Sequence, residues 1–134
     1  MKDMMNKKIL EKFQEQGYLV FRLIFGAMFT LHGLQKFGVL GGTALTPAAG
    51  IFFWAGVFEI VIGPLLILGL ATRFAAVVGA VEMAVALVTA HFPKGWNPLG
   101  NGEAAWLNLG AFLVLVVYGA GKYALDQKVL KDWA

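Results

Sequence analysis

The sequence predicts an all-α integral membrane protein, a four-helix bundle with both termini in the cytoplasm. Three observations predict it. Of 134 residues, 59% are hydrophobic and only 14% are charged, where a soluble domain carries about a quarter; the mean hydropathy is +0.71. The apolar residues fall in four runs of about 20, the number that a hydrocarbon core of about 30 Å demands of a helix. The basic residues are divided unequally between the two ends of those runs.

The elements follow in order. Residues 1–17 are a polar lead in which Met5, Ile9 and Phe13 recur every four positions with Leu10 beside them, while Lys7, Lys8, Glu11, Lys12 and Glu15 take the other faces. That pattern predicts a short amphipathic helix lying on the inner leaflet. A cleaved signal peptide is disfavoured, because the lead is long, the run after it is of full membrane length and no A-x-A-like site follows. Residues 18–121 form the bundle, with spans at about 18–37, 49–70, 73–92 and 104–121. Only "ATR" separates the second and third, so these form a tight antiparallel hairpin. The links "GVLGGTALTP" and "PKGWNPLGNGE" hold most of the Gly, Pro and Asn turn signals. Residues 122–134 are a cytoplasmic tail. Tyr18, Trp54, Trp96, Trp106, Tyr118 and Tyr123 suit interfacial belts.

Orientation comes from the basic residues. Lys2, Lys7, Lys8, Lys12, Arg22, Arg73, Lys122, Lys128 and Lys131 lie at or beyond one face, and only Lys36 and Lys94 belong to the other. Positive charge marks the cytoplasmic side, which gives a multi-pass protein of the inner membrane. There are no cysteines, which removes disulfides, thiol catalysis, iron–sulfur clusters, thiolate metal sites and c-type haem. A net charge of +3 without a basic stripe points away from nucleic acid.

Two glutamates interrupt the apolar spans, Glu59 in "GVFEIVIG" and Glu82 in "VVGAVEMAVAL". A charge at a helix centre costs about 2.5–3.5 kcal/mol on insertion scales, so such groups face the protein interior and find partners. Gly56, Glu59 and Gly63 share one helical stripe, and Ala75, Gly79, Glu82, Ala86 and Ala90 a second; small residues let helices approach closely in lipid. At a rise of about 1.5 Å per residue, His32, Glu59 and Glu82 each lie about 13–16 Å from the inner face, in one layer. Gln35 and Lys36 follow His32 at i+3 and i+4 and look the same way. The reading assigns Glu59 and Glu82 as catalytic, proton-relaying groups and His32, Gln35, Lys36, His91 and Asn108 as ligand-binding. Asn97, Asn101 and Glu103 would widen a polar funnel toward the outside. The competing reading is that these polar groups only knit the helices together. No Glu-x-x-His motif supports a carboxylate-bridged metal site. His32 and His91 differ in depth by about 12 Å, which argues against one haem.

The chain resembles the DoxX family of small bacterial membrane proteins, from about Arg22 to the C-terminus. The resemblance rests on "RLIFGAMFTLHGLQKFG", on "GVFEIVIGPLLILGLATRFAAVVGAVEMAVALVTAHFPKGW" and on "NGEAAWLNLGAFLVLVVYGAGKYALDQ". It implies a four-helix membrane protein and an association with quinone-linked oxidation, since the family is related to the DoxD subunit of a thiosulfate:quinone oxidoreductase. Where members often carry an aromatic–Glu–aromatic patch opening the last helix, this chain has "NGEAAW". Any thiol or thiosulfate chemistry would need a partner subunit.

Three functions fit this pattern. The first is a quinone-interacting oxidoreductase subunit, with His32 and Lys36 on the quinone oxygens, electrons supplied by a partner redox subunit, and a homo-oligomer as the other possible assembly. The second is a transporter or binding protein for a small or lipid-like solute. The third is a membrane scaffold.

Overall fold

A computed structural model describes residues 2–129; Met1 and residues 130–134, including Lys131 and the end of the expected tail, lie outside the described residues. The described chain is helical, with no strand. Helix α1 spans Lys2–Lys36, α2 Ile51–Leu68, α3 Thr72–Ala86, α4 Glu103–Tyr118 and the short α5 Asp126–Val129. Three helical stretches are long and apolar enough to cross a membrane, Met4–Lys36, Ile51–Leu68 and Thr72–Lys94. The expected fourth span is the shorter α4 of 16 residues, about 24 Å long at the α-helical rise. Gly119, at φ 71°, stops it.

The polar lead and the first span form one unbroken helix of 35 residues, about 52 Å long. The sequence reading separated them. Nothing between Lys2 and Gln16 breaks a helix, since that stretch holds neither Gly nor Pro. Met5, Ile9, Leu10 and Phe13 are exposed along it.

α3 continues past Ala86 as a π-helical stretch, Leu87–His91, and a 3₁₀ turn, Phe92–Lys94. Pro93 accounts for this. Its ring would clash with the carbonyl of Thr89 in a regular α-turn and it has no N–H to donate, and widening the helix relieves the clash.

The helices pack as two antiparallel hairpins, α1 on α2 and α3 on α4, joined by the α2–α3 turn. Glycines set the first hairpin. A Cβ at Gly26 would lie 2.8 Å from the Gly63 carbonyl oxygen, and one at Gly33 would lie 2.9 Å from the Gly56 carbonyl oxygen and 2.9 Å from Glu59 Cβ. Such approach gives the van der Waals contact that holds helices together where lipid competes for apolar surface. In the second hairpin the Phe112 ring lies directly over Gly79. The same ring meets Phe25 and Phe29 edge-on, each at 4.9 Å between centroids, so one side chain of α4 ties α1 to α3. Ile62, Leu66, Ala75, Ala76, Met83, Leu87 and Leu115 complete the core. Val20, Ile24, Met28, Val61, Phe74, Val81, Val88, Leu107 and Val117 face outward, as the walls of a lipid-embedded bundle do.

Candidate functional site

Gly33 lies against Glu59, so α1 turns that face toward α2. Lys36, three residues on, lies on the same side of α1. Side chains tilt toward the N-terminus of their helix, which directs Lys36 from the last turn of α1 back down the bundle. Its ammonium donates to Glu59 Oε1 at 2.7 Å, an ion pair in which the lysine side chain is 23% exposed and the glutamate 1%. Glu59 Oε2 has no partner. Across the bundle, both carboxyl oxygens of Glu82 are buried and unpartnered as well, near enough to Glu59 and Lys36 for those charges to act on it. The bundle interior thus holds an ion pair and, within electrostatic reach of it, a second carboxyl group, with three carboxyl oxygens unfilled. Buried polar atoms nearly always have a partner, so this is an unusual concentration of open hydrogen-bonding positions.

The other sequence-derived positions fall elsewhere. His32 is exposed: one residue before Gly33, it is turned about 100° from the face that meets Glu59. It looks outward, and Gln35 is exposed too. The expected inward direction of both is corrected by the position of Gly33. His91 is held by Asn101, with Nδ1 2.9 Å from Asn101 Oδ1 and Asn101 Nδ2 donating to the His91 carbonyl at 2.6 Å. That exchange ties the π-helical end of α3 to the turn before α4, and Gly102 packs on the imidazole with no room for a Cβ. Asn108 is half-buried. Among the described residues no three of His, Asp and Glu gather as metal ligands.

Sequence reasoning missed a second polar cluster, at the opposite end. Arg22, counted there as a surface charge, is 2% exposed. Its guanidinium donates to the carbonyl of Ala120 and to that of Tyr123 at 2.5 Å, beyond the end of α4. Asp126 accepts from the N–H of Ala71 at 2.6 Å and of Thr72 at 2.9 Å, capping α3. Backbone bonds from Leu125 N–H to Leu68 O and from Asp126 N–H to Gly69 O complete the clasp. The segment expected to be a tail is therefore docked onto the α2–α3 turn through residue 126. Proximity of Arg22 to the described C-terminal carbonyls had no short-range signal in the sequence.

Apolar outer walls, helix-only architecture and buried ionisable groups define a small polytopic membrane protein. The model of the DoxX family matches residues 17–92, and the chain belongs to that family. The match takes in α2, α3 and the membrane part of α1, and with them Lys36, Glu59 and Glu82. An uncharacterised protein of Haemophilus influenzae is 41% identical, the alignment covering 91% of this chain and 97% of that one. A Bacillus subtilis protein named "Putative oxidoreductase CatD" is 31% identical over 91% of this chain and 93% of its own length. An uncharacterised membrane protein of Mycobacterium tuberculosis is 35% identical over 82% of this chain and 79% of its own. No solved structure gives a significant match.

Proposed function

We propose that this DoxX-family protein is a quinone-interacting subunit of an oxidoreductase system of the inner membrane. The observation that carries the proposal is the Lys36–Glu59 ion pair inside the bundle, with the unpartnered Glu82 carboxyl group within electrostatic reach of it. Ionisable groups inside a membrane span are costly and mark ligand or proton pathways. Lys36 offers donors to a ring oxygen, and the two glutamates offer sites for protons. Electrons come from a partner redox subunit, because the chain carries no redox cofactor motif of its own. The name of the Bacillus subtilis relative agrees with this class. Both termini lie in the cytoplasm on the distribution of Lys and Arg.

The test is quinone recovered with the protein purified in mild detergent, and quinone rebinding in lipid nanodiscs. Glu59→Gln and Glu82→Gln each lower rebinding, and the double variant is no worse than the poorer single, because the groups serve one ligand. Full quinone binding by both variants, with only thermal stability altered, would leave the cluster a helix tie and the protein a scaffold.

A further inference from the structure

The three open positions in this cluster are all carboxyl oxygens: Glu59 Oε2, Glu82 Oε1 and Glu82 Oε2. The ammonium of Lys36 is already engaged by Glu59, and with 23% of its side chain exposed its remaining N–H groups can reach water or lipid headgroups. Unmet hydrogen-bonding capacity therefore lies on the acceptor side. A proton on one Glu82 oxygen would still leave two of the three as acceptors. A dione ring has only acceptors to offer and would leave at least two of these oxygens bare, whereas a ring bearing hydroxyl groups fills them, and a hydrogen bond to a charged group is stronger than one between neutral partners.

We infer that the Lys36–Glu59–Glu82 cluster selects the reduced, dihydroxy-aromatic form of its ligand over the oxidised dione. This rests on the quinone reading above and adds which redox form the site is built to hold. Glu59 and Glu82 accept from the ring hydroxyls, and the bond from Lys36 to Oε1 fixes the direction in which Glu59 Oε2 points. Lys36 occupies Oε1 alone, so Oε2 stays open to the ligand while the ion pair holds.

Equilibrium dialysis under anaerobic conditions tests this on the full chain in phosphatidylcholine nanodiscs, with empty nanodiscs subtracting partition into lipid. The probes are trimethylhydroquinone, trimethylbenzoquinone and the dimethyl ether of the hydroquinone, which keeps the ring and removes both donors. The hydroquinone should bind at least about tenfold more tightly than either of the others, the scale of one hydrogen bond to a charged group. Glu59→Gln and Glu82→Gln should each narrow that gap, and Leu113→Ala, on the lipid face, should leave it unchanged. Quinone binding as tightly as hydroquinone, or the ether matching it, would overturn the redox preference while leaving a quinone site in place. No binding of any probe above empty nanodiscs would overturn both readings. The three-probe comparison on the unaltered protein decides the matter even if a variant does not fold.

Discussion

Removing the Asp126 carboxylate should unfasten the inner end of the bundle. Asp126 is 2% exposed and accepts from the N–H groups of Ala71 at 2.6 Å and Thr72 at 2.9 Å. A hydrogen bond to a charged group contributes about 1.5–3 kcal/mol, though two bonds sharing one carboxylate are not additive. Asp126→Ala also leaves two N–H groups unpaired, that of Thr72 buried and that of Ala71 half-buried, and takes a nearby negative charge from Arg22. Breaking a buried charged arrangement by deleting one member costs about 3–5 kcal/mol, and the loss here should fall in that range. For a chain of this size that lowers Tm by on the order of 10 °C. Asp126→Asn keeps an acceptor and should lose about half as much. The assay is thermal unfolding in detergent followed by circular dichroism, with the exposed Lys128→Ala as the neutral control. Melting of Asp126→Ala within about 1 °C of the unaltered protein would refute the clasp.

The other predictions concern the interior and the topology. Gly79→Leu must displace the Phe112 ring and should destabilise by about 1–3 kcal/mol or more, the usual cost of overpacking; Leu113→Ala, on an exposed position, should cost less by the same melt. Equal stability of Gly79→Leu and the unaltered protein would remove the glycine–ring contact from the account. Lys36→Met should destabilise more than the double change Lys36→Met with Glu59→Leu, because the single change strands a buried carboxylate; urea or SDS titration of both variants checks the order. Single cysteines replacing Thr43 and Leu99, both exposed, should react with an impermeant maleimide on intact cells. Reaction only after lysis would invert the topology.

Periodicity and spacing made most of the helices legible, and with them the inward direction of the glutamates. Gly56, Glu59 and Gly63 are all buried, as their common stripe implies, and Gly79 meets Phe112. The same logic applied to α1 would have found the rest. Gly26 and Gly33 mark its packing face, Lys36 lies three residues beyond Gly33, and His32 lies one residue before it. Rise per residue gives depth but not azimuth, and depth alone put histidine in place of lysine. The clasp was not legible, because Arg22 and Asp126 are brought to one place only by closure of the whole bundle. The joined α1 differs from the separate lead and span because amphipathicity describes which face is apolar, not where a helix bends.

The glycines of the first hairpin also bear on how it assembles. Gly26 and Gly33 are seven residues apart, as are Gly56 and Gly63, and in antiparallel order each meets its counterpart. Sliding α1 along α2 by one turn places a side chain against every glycine, a two-turn slide leaves only one glycine facing another, and either draws Lys36 away from Glu59. Only one alignment satisfies both glycine pairs and the ion pair together. The hairpin thus works as a vernier: two helices entering the bilayer one after the other, free to slide in a solvent with no preference for any offset, stop where the marks coincide.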